Sequence, residues 1–302
     1  MSEASAEGSP EPHHARGRDR HLALAIPEGW RVRDRAGPPF FVTRARVVRP
    51  DGTEIDWSTR RHRKGLAPIV TGERVRRARH LVVGASASSL WMGGLFMVGS
   101  FCFALGSLPL FFDHVDAELV AWVFFVGSIF FTSAAYLQYR ECVAAPTTVD
   151  PSGPRPHGLR ALVGWRPRIL GWWAATVQFA GTILFNISTF SATRDELTLD
   201  QQRHLIWAPD FWGSACFLVA SWLAYVEVCP EVWRRRRGDI GWEIAALNLI
   251  GSVAFGLSAI GARYLTTTGE PANITLVNLG TFAGALCFFA GAALLPVESA
   301  RG

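Results

Sequence analysis

Six stretches of the chain run apolar long enough to cross a bilayer as helices, and short charged segments separate them. A bilayer core needs about 20 apolar residues in a helix. The first stretch lies within Leu81–Phe112, which holds no charged residue, with its spanning part at 86–109. The others are 119–138, 169–190, 211–226, 244–262 and 274–295. A buried soluble helix imitates one such run, but six in succession read as membrane spans. Before Leu81 the pattern changes. Trp30–Arg33 and Phe40–Val48 alternate as strands do, Pro50–Thr53 reads as a turn, and Glu54–Trp57 follows. This predicts a small β-hairpin. So short a region buries little core, so it is expected to lean on the helices or on another chain. Residues 1–20, rich in Ser, Pro, Glu, His and Arg, read as a disordered lead. They contain no apolar h-region, so the first span is expected to act as its own insertion signal.

The average composition, 49% hydrophobic and 18% charged, conceals this division. Residues 1–80 carry 17 of the 30 basic and 10 of the 25 acidic side chains, and the remaining charges cluster at span edges. Those clusters set an orientation. Arg74, Arg76, Arg77 and Arg79 precede the first span, whereas Asp113–Ala117 after it is acidic. Arg140, Arg155, Arg160, Arg166 and Arg168 follow the second span, and Arg234–Arg237 follow the fourth. After the third and fifth spans, Arg194, Arg203 and Arg263 are offset by Asp195, Glu196, Asp200 and Glu270. Basic flanks stay cytoplasmic. The expectation is a multi-pass protein of the cell (plasma) membrane with both termini cytoplasmic. Trp165, Trp172, Trp173, Trp207, Trp212, Trp233 and Trp242 fall near span ends, as an aromatic belt requires.

The spans also repeat. An offset of 70 lays Gly171-Trp172 on Gly241-Trp242, Gln178 on Asn248, Gly181-Thr182 on Gly251-Ser252, Phe185 on Phe255 and Ser188 on Ser258. An offset of 82 brings in Gly99-Ser100 and Phe103, with Phe96 in the Gln/Asn place. The even spans align Gly127, Gly213 and Gly284, then Phe131, Phe217 and Phe288, then Glu141, Glu227 and Glu298. The predicted fold is an all-α membrane protein: six transmembrane helices as three tandem, parallel hairpin repeats, behind a small cytoplasmic N-terminal region containing β structure. The expected organisation is a lead at 1–20, an N-terminal region at 21–80 and hairpins at 81–142, 169–230 and 242–298. A linker at 143–168 and a basic loop at 231–241 join the hairpins. Gly99, Gly127, Gly181, Gly213, Gly251, Gly280 and Gly284 are expected to pack helices, because close backbone contact replaces the hydrophobic drive in lipid. Each following Phe is expected to fill an adjacent groove.

Asn248-x-x-Gly251-Ser252-x-x-Phe255 and Gly280-Thr281-x-x-Gly284-x-x-x-Phe288 resemble the YrhK-like family of two-span membrane domains. The resemblance is fullest over the third hairpin, lesser over the second and slight over the first. It implies an integral membrane domain and brings no catalytic residue.

Polar residues within spans are the candidates for function. Gln178, Asn186 and Asn248 either bond neighbouring helices or form a polar intramembrane site shared between repeats. No Asp, Glu, Lys or Arg lies at a span centre, which argues against a carrier using a buried carboxylate. Cys102, Cys142, Cys216, Cys229 and Cys287 show no Cys-x-x-Cys spacing, and the His residues form no metal motif. No nucleophile elbow or phosphate loop is present. The reading is therefore not an enzyme, with no cofactor and no metal. It is a membrane interaction or scaffold module, or alternatively a small-solute transporter or channel. The basic run Arg60–Lys64 is expected to meet anionic lipid rather than nucleic acid. Partners are the lipid bilayer and a second protein or a second copy of the chain.

Overall fold

The computed structural model of the chain describes residues 22–71, 84–229 and 238–301. The expected lead at 1–20, the arginines of 74–79 and 234–237, and Trp233 lie outside the described residues.

Four strands, β1 (Arg31–Ala36), β2 (Arg44–Val48), β3 (Glu54–Ser58) and β4 (Ile69–Val70), form one antiparallel sheet in that order, and α1 (Thr59–Arg63) follows β3 directly. The expected hairpin is β2–β3, with Val47 opposite Ile55 and Ala45 opposite Trp57. Period-2 alternation puts these four side chains on one face, where they are buried with Leu24 and Val149. Phe40–Val42 do not extend β2 as expected, because Phe40 has φ 70°, in the left-handed region that a strand does not use. The sheet's core is completed by the stretch between the second and third apolar runs. Val149 and Ile169 pack into it, Val149 N–H donates to Ala25 O at 2.9 Å and Ala25 N–H donates to Thr147 O at 3.1 Å.

The rest is helical. Six long helices, α2 (Ala87–Gly106), α4 (Ala117–Val143), α6 (Leu170–Ser191), α8 (Ala208–Val228), α9 (Ile240–Gly261) and α10 (Ile274–Ala300), are joined by loops holding the short α3 (Pro109–Phe112), α5 (Leu159–Leu162) and α7 (Leu199–Gln202). A π-turn at Arg203–Trp207 joins α7 to α8. Side chains cap the starts: Ser86 Oγ accepts from Ser89 N–H, Asp239 from Trp242 N–H and Asn273 from Leu276 N–H. Each long helix packs on two neighbours, and the ring closes in the order α2, α4, α6, α8, α9, α10 and back to α2.

Five helical stretches are long and apolar enough to cross a membrane: Ala87–Gly106, Ala117–Val143, Leu199–Val228, Ile240–Gly261 and Ile274–Ala300. This is compatible with a multi-pass membrane protein. The expected third span, α6, is not among them. Gln178, Asn186, Trp172 and Trp173 lower its mean hydropathy.

Glycines set the helix spacing. A Cβ on Gly251 would lie 3.1 Å from Gly284 O and 2.9 Å from Phe288 Cδ2, and one on Gly284 would lie 3.0 Å from Gly251 O. The same reciprocal contact joins Gly99 to Gly127 and Gly181 to Gly213. Gly280, one turn before Gly284, approaches Ala254 O, which its Cβ would meet at 2.8 Å. Gly256 faces open space, with nothing within 4 Å of its Cβ position. Gly251→Leu should therefore cost about 1–3 kcal/mol of overpacking and lower the thermal unfolding temperature in detergent. Gly256→Leu, in the same helix, should leave it nearly unchanged. Equal effects from the two would reject the contact as the reason for the glycine.

Candidate functional site

The axis of the helix ring is filled by phenylalanine. Phe103, Phe185 and Phe255 form one mutually touching triangle, and Phe131, Phe217 and Phe288 form another. Contacts Phe103–Phe131, Phe185–Phe217 and Phe255–Phe288 join the triangles, and ring centroids across the set lie 5.0–6.2 Å apart. All six side chains are buried. Most pairs are edge-to-face or tilted, the arrangements the ring quadrupole favours. The sequence reading put each Phe in a groove between two helices. In the structure each ring does lie against the glycine of the paired helix, and from there all six meet at the centre.

At the sheet end of the ring, Glu141, Glu227 and Glu298 converge. These are the glutamates that align at the ends of the even apolar runs. Between them lies α1. Its Arg60, Arg63 and Lys64 are spaced i, i+3, i+4, so they share one helix face. Arg60 forms a two-pronged pair with Glu298: Nε donates to Oε1 at 2.7 Å and Nη2 to Oε2 at 2.9 Å. Lys64 Nζ lies 3.2 Å from the same Oε2. Arg63 Nη1 donates to Glu227 Oε1, and its Nε lies 3.6 Å from Glu141 Oε1. Thr59 Oγ1 donates to Glu227 Oε1 at 2.6 Å, and the Arg44 guanidinium donates to Val228 O. Every charged side chain in the cluster is at most 11% exposed. Three cations against three carboxylates leave it neutral.

The local sequence builds this arrangement. Ser58 caps α1 by accepting from Arg61 N–H at 3.4 Å, which starts the helix at the end of β3. Gly171 and Gly241, at the first turns of α6 and α9, make room for the guanidiniums. A Cβ on Gly171 would sit 2.5 Å from Arg63 Nη1, and one on Gly241 3.1 Å from Arg60 Nε. Burial works against the charged forms of both arginines. Glu298 with Glu227 at Arg60, and Glu227 with Glu141 and Cys142 at Arg63, together outweigh it, so both guanidiniums are held above their ordinary value. His62, on the opposite side of α1, lies 5.6 Å from the Trp57 ring, with Nε2 3.3 Å from Pro146 O. Its Nδ1 is buried and has no partner among the described residues. Burial pushes the imidazole below its ordinary value. Arg166 and Arg155 add to that, while the Pro146 carbonyl and Asp150 oppose it.

Between the phenylalanines and α1 lies a chamber of about 40 Å³. Gln178 and Asn248 both line it, together with Gln138 of α4. Asn186 does not join them. Its Oδ1 accepts from Thr132 Oγ1 at 3.2 Å, tying α6 to α4. The sequence-selected polar residues thus divide into two that share a chamber and one that bonds neighbouring helices. Gln138 escaped the sequence reading, and Arg60, Arg63 and Lys64, expected there to meet anionic lipid, are instead buried against the three glutamates. The i, i+3, i+4 spacing of the cations, set against three aligned glutamates, was the available signal. Among the described residues, no three His, Cys, Asp or Glu side chains are grouped as metal ligands. None of the five cysteines forms a disulfide among the described residues. No protein-family model, curated protein or solved structure matches the chain.

Removing Arg63 strands two buried carboxylates, and breaking a buried pair in this way typically costs about 3–5 kcal/mol. Arg63→Met should lower the unfolding temperature and open the 59–71 segment to protease. Adding Glu141→Gln and Glu227→Gln should restore most of the loss; no restoration would mean that packing rather than charge holds α1. The His62 effect has a definite sign. A depressed folded pKa favours the neutral ring, so its contribution is present above the ordinary value of about 6.5 and is lost as pH falls below it. Unfolding temperature should drop between pH 7 and pH 5, and His62→Gln should flatten that slope.

Proposed function

We propose that the protein is a six-span membrane protein built from three tandem hairpins of one orientation, with its sheet and both termini on the cytoplasmic side of the cell membrane. It acts there as a non-enzymatic interaction or scaffold module. The outward faces of the long helices support the membrane reading. Trp91, Phe101, Trp212, Ile250, Ile260 and Leu279 are all more than half exposed, which suits lipid and not water. The sixth span is supported by the azimuth of α6. Ile183, Ile187 and Phe190 face outward at 42–44% exposure, while Gln178 is buried and Asn186 is bonded to α4. The repeat is supported by the three reciprocal glycine contacts and by the two phenylalanine triangles, to which each hairpin gives one member apiece. The resemblance of the third hairpin to YrhK-like domains belongs to this same reading.

The observation that carries the choice of function is the phenylalanine cluster. It closes the axis with six interlocked rings and no polar side chain among them, which is poor provision for moving a solute. A second reading, a small-solute transporter or channel, is favoured by the convergence of Gln178 and Asn248 on one chamber. Its path would need the rings to part, and Asn186 would stand outside it. Purified protein in liposomes should show no flux of small ions or neutral solutes above that of empty liposomes. Flux that disappears when Gln178, Asn186 and Asn248 are replaced by Leu would overturn the scaffold reading in favour of the second.

A further inference from the structure

The chamber has a chemistry that neither reading assigns. Its lining contains three cationic side chains, Arg60, Arg63 and Lys64, but of the three glutamates only Glu141. Glu227 and Glu298 stand behind their cations, outside the lining. Donors exceed acceptors. Arg60 spends two of its five N–H groups on Glu298, and Lys64 has one pair for three N–H groups. The amides add more. Gln178 is only 7% exposed, and its side chain has no hydrogen-bond partner among the described residues. Gln138 and Asn248 likewise bring amides without a side-chain partner among the described residues, and Gly291 makes room for Asn248 Oδ1, which a Cβ there would meet at 2.7 Å. Of the three amides Gln178 is the buried one, and an amide so placed calls for a bound polar species.

We infer that this chamber binds one small monovalent inorganic anion, of the size of chloride, bromide or nitrate. A cation would meet Arg60, Arg63 and Lys64 with only the Glu141 carboxylate beside them in the lining. A carboxylate much larger than nitrate would not fit, since about 40 Å³ admits only a few heavy atoms. An anion accepts from the surplus N–H groups, and the carboxamides can turn their NH2 groups towards it. Phe96 and Phe288, also in the lining, close the chamber on its apolar sides and keep the local dielectric low, which strengthens each charged contact. Two of the amide positions are those that align between hairpins, Gln178 and Asn248. Phe96 takes the third, and Gln138 of the same hairpin supplies the missing amide from its other helix. The site requires no transport and holds whether or not the protein moves a solute.

The test uses the full chain in detergent. Thermal unfolding is measured in sodium chloride, bromide or nitrate against sodium gluconate at equal ionic strength, gluconate being too large for the chamber. The small anions should raise the unfolding temperature by about 3 °C or more, saturably. Gln178→Leu with Asn248→Leu should remove the difference between salts. Should that variant fail to fold, the wild-type protein crystallised in bromide decides: an anomalous peak is expected among Arg60, Lys64 and Gln178. Equal unfolding in chloride and gluconate, or bromide data showing only water in the chamber, overturns the inference.

Discussion

Three carboxylates converge at one end of the helix ring, and they could not lie there together without cations between them. Like charges in a poorly solvated site repel strongly, because low dielectric magnifies Coulomb energy. Either the helix ends splay, or the acids take up protons, or cations come between them. The chain takes the third course with α1, whose Arg60, Arg63 and Lys64 reach Glu298, Glu227 and Glu141. Much of the N-terminal architecture follows from this. The sheet holds α1 at the end of β3, the Thr59 hydroxyl and the Arg44 guanidinium add bonds at the same seam, and the stretch carrying Val149 clamps the sheet from the other side. Burying the six charges is not in itself a source of stability, since desolvation offsets most of the Coulomb gain. What the cluster supplies is specificity: α1 has one register in which all three acids are answered.

Deeper in the ring, size takes over from charge. Glycines let paired helices touch backbone to backbone, as at Gly251 and Gly284, and this draws the ring tight enough for six phenylalanines to fill the centre. The two features depend on each other. With larger residues at the glycines the rings would separate, and with smaller residues at the phenylalanines the axis would be left unfilled. Several hydroxyls at the same level bond across helices, as in Ser221 with Ser252 and Ser258 with Thr281, whereas Ser100 Oγ is buried without a partner among the described residues.

The sequence made much of this readable, and the unreadable part has a common physical cause. Apolar runs located the long helices, because composition is local. Alternation located β2 and β3 for the same reason. The three aligned glutamates and the three spaced cations were each visible, but their pairing joins residues as far apart as Arg60 and Glu298, and no local pattern reports such a contact. Azimuth was similarly hidden. Gln178 and Asn186 look alike in sequence, yet eight residues turn a helix about 80° past a whole number of turns and advance it about 12 Å. One therefore meets the chamber and the other meets Thr132. The shortfall of α6 in hydropathy has the same origin: a scale sums polar side chains without knowing that they face inward.

The departures from symmetry among the aligned hairpins then have a reason. A single helix cannot present identical groups to three equivalent sites. Two arginines find two glycines, Gly171 and Gly241, while the aligned position in the first hairpin is Ser89, whose hydroxyl accepts from Ser86 Oγ at 2.9 Å. In that hairpin Glu141 is reached only at 3.6 Å, by an arginine already bonded to Glu227. There too Phe96 replaces the amide and Gln138 restores one from the neighbouring helix. The first helix pair thus departs from the aligned sequence pattern at the level where α1 docks. At that level the ring is fitted to the docked α1, while the glycine contacts and phenylalanine triangles below it run through all three helix pairs.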